Sequence, residues 1–193
     1  MNASVAIVPY DPDWSNVFAG IGTALRTVCG EIARRIDHIG STAVPGLAAK
    51  HRIDVQVAVE DLSSVDRLAP GIEALGYQAR PQITRDHVPP GALNDAAEWE
   101  KRFFTSGSNA RPASIHVRRL GAANQRYALL FRDYLRAHPP SAAAYGELKH
   151  RLAAEIPDLF TYTEVKDSAC DLIMIAAEDW ARWEGWTPGT SDC

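Results

Sequence analysis

The chain has 193 residues, 46% of them apolar and 23% charged. That composition fits one globular domain, or a domain with a helical appendage, and excludes disorder as the main state. Twenty Lys and Arg against 24 Asp and Glu leave a formal net charge of −4, which argues against a general polyanion-binding surface and so against bulk nucleic acid as a partner. No window offers the roughly 18 to 20 uncharged apolar residues of a membrane span. Met1-Asn2-Ala3-Ser4-Val5 lacks the basic start and apolar run of a signal peptide. The protein therefore reads as cytoplasmic, with no membrane partner. Cys29, Cys170 and Cys193 are too few and too scattered for a disulfide framework or a zinc knuckle; they read as thiols, the first two on helix faces.

In chain order, residues 5–8 read as a short strand. Asp11-Pro12-Asp13 then opens a helix with an acidic cap and a proline where its missing N–H is harmless. Trp14, Val17, Phe18, Ile21, Leu25 and Val28 recur at three- and four-residue steps, giving one apolar stripe that ends at Gly30. Residues 32–39 and 53–59 are rich in β-branched side chains and predict strands, the second with Ile53, Val55, Val57 and Val59 on one face. Asp61 caps a second helix toward Leu75 that Pro70 is expected to break or restart, and Gly76 ends it before a strand from Tyr77. Residues 80–100 carry three prolines and few periodic apolar residues, a loop long enough to serve as a lid. Residues 101–105 and 114–118 are short strands able to pair as a hairpin across Ser106-Gly107-Ser108-Asn109.

After Gly121 three helical patterns follow, over 124–137, 141–155 and 163–183, punctuated by Pro139-Pro140 and Pro157. Thr161-x-x-Glu164 has the spacing of a capping box for the last, and Gly185 and Pro188 stop it. The pattern as a whole is α+β: a small sheet in the first two thirds and a helical cap in the last.

Chemistry concentrates between Asp37 and Val57. There a strand leads into Gly40-Ser41-Thr42, where backbone N–H groups and hydroxyls can converge on a phosphate, with no Cβ at Gly40 to obstruct it. Lys50 and Arg52 supply compensating charge. Asp54 follows Ser41 after twelve intervening residues and stands on a strand between Ile53 and Val55, where a carboxylate can hold a divalent metal. His38 shares the strand leading into the bend and serves either to bind phosphate or to hydrogen-bond the loop. Lys101, Arg102 and Arg118 carry charge near strand ends, where solvation is the ordinary reading. Trp180, Trp183 and Trp186 form a stripe assigned to core or a subunit contact. Arg132-Asp133-Tyr134 and Lys149 read as exposed helix faces, where an ion pair is the ordinary reading and a nucleotide contact the exception, and Lys166 is open between the two.

The run from His38-Ile39-Gly40-Ser41-Thr42-Ala43-Val44-Pro45-Gly46 to Lys50, followed by Ile53-Asp54-Val55, resembles the hallmark of the GrpB-like family, a branch of the nucleotidyltransferase superfamily. Val8-Pro9-Tyr10-Asp11-Pro12-Asp13-Trp14, Ile115-His116-Val117 and Leu130-Phe131-Arg132-Asp133-Tyr134 are similar to further family segments. The resemblance implies a small mixed sheet flanked by helices over residues 1–120, with a helical region over 121–193 packed on it. In the wider superfamily a Gly-Ser turn is followed by a strand with two carboxylates one residue apart, and a third stands on a neighbouring strand. Here Asp54 matches the first, while Gln56 and His116 occupy the other positions, a loss of about two negative charges from a set that hard divalent ions prefer. Either the demand for metal is lower or chemistry has been lost.

The resemblance thus implies transfer of a nucleotidyl group from a nucleoside triphosphate to a small hydroxyl- or amine-bearing acceptor. Gly40, Ser41, Thr42, Lys50 and His38 would bind the phosphates, and Asp54, Gln56 and His116 would hold Mg²⁺ or Mn²⁺. Asp54 and His116 are the catalytic pair, the histidine as base or ligand. An inactive nucleotide-binding scaffold is the alternative, compatible with relatives fused to dephospho-CoA kinase. A metal-dependent hydrolase built on His38, Asp54 and His116 is the third reading. Acceptor and oligomeric state are not written in the spacing.

Overall fold

The computed structural model describes residues 5–193, the side chain of position 159 excepted; the expectation concerning residues 1–4 lies outside them. Helix α1 (Trp14–Cys29) follows a turn in which Asp11 Oδ1 accepts from the Asp13 N–H at 2.9 Å. It buries Trp14, Phe18, Ile21, Leu25 and Cys29, the stripe that the spacing predicts, with Val17 and Val28 at its border. Gly30, at φ +52°, ends it. Residues 5–8 form no strand: they make one isolated bridge, Val8 to Ala49.

Strand β1 (Arg35–Ile39) begins later than expected because a 3-10 turn occupies Gly30–Ile32. With β2 (Ile53–Val59), β3 (Tyr77–Ala79), β4 (Lys101–Ser106) and β5 (Ala113–Arg119) it makes a five-stranded sheet of order β1-β2-β5-β4-β3. Only β2 and β5 run parallel, and β4 and β5 form the expected hairpin. Alternation then divides the chemistry. Ile53, Val55, Val57 and Val59 join Ile36, Ile115, Val117 and Phe104 in one core with α1, while Asp54, Gln56, His116 and Arg118 point to the other face.

Helix α2 (Val65–Ala74) closes that core with Val65, Leu68 and Ile72. It runs through Pro70 rather than breaking there. The proline lies on the exposed side, where water can satisfy the carbonyl it leaves unpaired. Asp61 accepts from the Ser63 N–H at 2.7 Å and caps the 3-10 turn Leu62–Ser64 that leads into α2. The long segment 80–100 contains one short helix, α3 (Ala96–Trp99), and an isolated bridge between Arg85 and Glu100.

Helices α4 (Ala123–Ala137), α5 (Pro139–Glu155) and α6 (Leu159–Glu184) build a second core, in which Leu130, Leu135, Ala142, Met174 and Ala177 pack with Val44 and Leu47 of the loop after β1. Pro139 and Pro140 form the first turn of α5. The N-cap of α6 is Asp158, not Thr161: its Oδ2 accepts from the Thr161 N–H and hydroxyl at 2.8 and 2.9 Å. The tryptophan stripe divides. Trp180 packs edge-on against Tyr134, Trp186 donates to Asp133 Oδ2, and Trp183 is 88% exposed. No helix among the described residues is long and apolar enough to cross a membrane.

Residues 189–193 return to the outer edge of β1. The Cys193 N–H donates to the Ile36 carbonyl at 3.1 Å, Ser191 Oγ accepts from the Ile36 N–H at 2.8 Å, and Asp192 Oδ2 accepts from the His38 N–H at 2.9 Å. Arg132 on α4 clamps the arrangement, donating to both Asp192 Oδ2 and the His38 carbonyl. It is a buried structural cation, not the exposed one that the sequence suggests.

Candidate functional site

The register of β1 and β2 pairs Ile39 with Asp54, so the residue after Ile39 meets the start of β2 directly. Gly40 has φ +70°, and a Cβ there would stand 2.5 Å from Asp54 Oδ2. Glycine is needed twice over, for the backbone angle and for the close approach of a carboxylate. The bend Ser41–Ala43 is a 3-10 turn. The spacing of Gly40-Ser41 and Asp54 therefore becomes contact through strand pairing.

Together they line one side of a cleft of about 490 Å³ between the sheet and the C-terminal helices, within the range of small-molecule sites. Ser41, Thr42, Lys50, Asp54 and His116 all face it. So does Lys149, which lies buried on α5 instead of exposed: its Nζ donates to Ser41 Oγ at 2.8 Å and to the Ala48 carbonyl at 2.5 Å, and sits 4.6 Å from the Tyr145 ring centre. Burial, reinforced by the charge of Lys166, lowers the Lys149 pKa to about 7. Burial also lowers that of Lys50, whose ammonium stands 5.4 Å from the Tyr162 ring centre. Lys166 reaches Asp167 Oδ1 at 3.0 Å.

Across the cleft Asp86, from the proline-rich segment, is the hub of a buried network. Its carboxylate takes Arg118 Nε and Nη2 at 2.8 and 3.1 Å, Lys101 Nζ at 2.6 Å and Asn124 Nδ2 at 3.1 Å. Burial opposes its ionisation, but Arg118 and Lys101 prevail and hold its pKa far below the carboxylate range. Segment 80–100 is thus fastened to β4 and β5 at Asp86, and His87 Nε2 meets Asp171 on α6 at 2.9 Å.

The expected metal ligands come out differently from one another. Asp54 keeps 36% of its side-chain exposure. Burial opposes its charge, but the neighbouring His116 imidazole, Lys50 and Arg52 lower its pKa. Gln56 is fully buried and does not line the cleft: Oε1 accepts from Arg118 Nη1 at 2.6 Å and Nε2 donates to the Gln125 carbonyl at 3.3 Å. His116 Nδ1 lies 3.3 Å from Arg118 Nη2. Because a guanidinium only donates, this nitrogen accepts and the proton resides on Nε2, 3.8 Å from Asp54 Oδ1. Burial, aided by Arg118 and Lys101, lowers the His116 pKa to about 4, so the ring is neutral at pH 7.

His38 lies elsewhere. It pairs with Val55, on the α1 side of the sheet, its ring stacked on Phe18 at 4.6 Å and its Nε2 3.0 Å from Thr42 Oγ1. Burial and Arg136 lower its pKa to about 4. It braces the bend from behind, so His38, Asp54 and His116 share no face and the hydrolase trio does not assemble. Arg52 Nη1 is engaged by Thr105 Oγ1 and the Ala113 carbonyl. No cluster of three or more His, Cys, Asp or Glu with metal-holding geometry exists among the described residues.

The remaining wall is aromatic. Tyr127 and Phe131 on α4 stack at 6.2 Å, and Phe131 meets Tyr145 edge-on at 5.7 Å. Two buried polar atoms lining the cleft, Tyr162 Oη and Asn124 Oδ1, have no hydrogen-bond partner among the described residues. Sequence reasoning assigned no site role to Asp86, Tyr127 or Asn124, and took Tyr145 and Tyr162 only as positions similar to those of the GrpB-like family. Only the compact polar triplet Arg85-Asp86-His87 within a proline-rich loop offered a signal.

Fold and cleft define a mixed α+β protein with a cationic, part-aromatic cavity at one end of its sheet. The sequence model of the family described as "GrpB protein" matches residues 4–175, and the chain belongs to that family. The crystal structure of GrpB from Enterococcus faecalis is 31% identical, with a TM-score of 0.75, covering 91% of this chain and 99% of that one. A dephospho-CoA kinase of Mycolicibacterium paratuberculosis is 37% identical over 96% of this chain and 49% of its own length; the chain spans about half of that relative. Structural neighbours also include a nucleotidyltransferase, the Cid1 poly(U) polymerase, at 11% identity and a TM-score of 0.48, over 75% of this chain and 42% of that one.

Proposed function

We propose that the cleft binds a nucleoside triphosphate. The phosphates would lie against Gly40-Ser41 and the Lys50, Lys149 and Lys166 ammoniums, and the base against Tyr127 and Phe131. The observation that carries this reading is Lys149. An ammonium held in a buried place at the Gly40-Ser41 bend, against its own desolvation, is explained by an anion that completes it. Calorimetric titration with ATP tests the reading. Saturable one-to-one binding that Lys149→Met weakens about tenfold or more, the loss of one charge-assisted hydrogen bond, supports it; wild-type protein that binds no ATP refutes it.

A second reading, nucleotidyl transfer, is favoured by Asp54. It is the carboxylate beside the bend that keeps open oxygen surface. In that reaction the acceptor oxygen or nitrogen would bond to the α-phosphorus, the bond to pyrophosphate would break, and Asp54 would take the acceptor's proton. The lysines neutralise the departing pyrophosphate. Pyrophosphate release from ATP in the presence of a pool of small alcohols and amines, abolished by Asp54→Asn, would support transfer. Binding without release leaves the protein a nucleotide-binding module, a role in keeping with fusion to a kinase.

A further inference from the structure

The donors that a two-ion site needs are already taken at this end of the sheet. Gln56 Oε1 and His116 Nδ1, at the two positions where the resemblance looks for further metal ligands, are bridged by a single guanidinium, at 2.6 and 3.3 Å from Arg118. The same guanidinium is held on its other side by Asp86, whose oxygens are further occupied by Lys101 and Asn124. Asp54 is left as a lone carboxylate, with a protonated nitrogen of His116 facing it. A divalent ion seeking several anionic oxygens does not fit this set; an organic cation has its place.

The charge around the cleft agrees. Seven Lys and Arg side chains line it against three carboxylates, a surplus of four, in a chain whose own net charge is −4.

We infer that the cleft takes its polyphosphate without a divalent ion, the anionic charge being met by Lys50, Lys149 and Lys166. The inference rests on the nucleotide reading for where the anion lies and goes beyond it in naming what neutralises the anion. Free ATP is then the better ligand, since Mg²⁺ would compete with the lysines for the same phosphate oxygens and would bring a second cation into an already cationic cleft.

The test is calorimetry on the full chain with ATP and, separately, inorganic tripolyphosphate, each in EDTA and in excess MgCl₂. Binding of ATP in EDTA that equals or exceeds binding in MgCl₂, and that Lys50→Met weakens about tenfold, is the expected result. Affinity that rises about tenfold or more with Mg²⁺ overturns the inference while leaving the nucleotide reading standing. Tripolyphosphate binding in EDTA with none for ATP overturns the nucleotide reading and leaves this inference intact. Silence toward both ligands in both buffers overturns both.

Discussion

Replacing Lys149 by methionine is expected to make the unliganded protein more stable while weakening its binding of ATP. The Lys149 pKa falls from 10.5 to about 7 in the folded chain. At about 1.4 kcal/mol per pKa unit, the buried charge opposes folding by about 5 kcal/mol at low pH. Below pH 7 both states carry the proton and the opposition is complete. Between pH 7 and 10.5 the folded lysine is neutral while the unfolded one still binds a proton, so this contribution to stability rises with pH and levels off above 10.5. Methionine keeps the aliphatic stem but leaves Ser41 Oγ and the Ala48 carbonyl without their donor, which returns about 1 to 3 kcal/mol of destabilisation. The net gain at pH 7 is about 2 to 4 kcal/mol, and each kcal/mol corresponds to about 2 to 4 °C in a chain of this size. Differential scanning calorimetry at half-unit steps from pH 6 to 9 measures it. The variant should melt higher than wild type at pH 6, with a gap that narrows as pH rises. A variant that melts lower throughout, with the wild-type slope, would show that Lys149 is an ordinary stabilising side chain and not a group held ready for an anion. Ligand binding should repeat the linkage in reverse: an anion that recharges Lys149 takes up a proton above pH 7. Affinity should then weaken from pH 6.5 to 8, and the calorimetric heat should depend on the buffer's ionisation enthalpy.

Other perturbations probe the frame around that lysine. Gly40→Ala puts a methyl 2.5 Å from Asp54 Oδ2 at a φ of +70°; it should cost at least about 1 to 2 kcal/mol in thermal unfolding and abolish ATP binding. Arg118→Met strips the Asp86 carboxylate of its bidentate partner and should destabilise by about 3 to 5 kcal/mol in urea unfolding, the usual effect of unpairing a buried charge. Asp86→Asn/Arg118→Met should recover part of that loss. His116→Gln retains a donor toward Asp54 and, because the imidazole is neutral above about pH 4, should leave the pH dependence of ATP binding between 5 and 8 unchanged.

Much of this architecture is written in local pattern. The α1 stripe, the alternation of Ile53, Val55, Val57 and Val59, and the hairpin of β4 and β5 depend on near neighbours, and the structure follows them. Gly40-Ser41 and Asp54 are legible as a pair because an antiparallel return brings the end of one strand to the start of the next. The Arg118, Asp86 and Lys149 contacts were not. Periodicity assigns Lys149 to an exposed face, since nothing in α5 announces that Ser41, more than a hundred residues earlier, waits across the cleft. Asp86 belongs to a segment without period at all. Gln56 and His116 were read as metal ligands from their positions, but the side chain that occupies both, Arg118, looked like a solvated strand-end charge. The same blindness to partners explains Thr161, whose spacing mimics a capping box although Asp158 reaches its N–H first.

The chain segment lying along β1 has a bearing on how the protein is handled. A border strand with bare amide and carbonyl groups invites another sheet to dock against it. Here Ser191, Asp192 and Cys193 satisfy those groups with side-chain and main-chain bonds instead of a sixth strand. Replacing Ser191 and Asp192 together by alanine would leave the helices and the cleft lining in place yet uncover part of a sticky margin, so the variant should turn turbid or elute early from a sizing column while still holding its secondary structure.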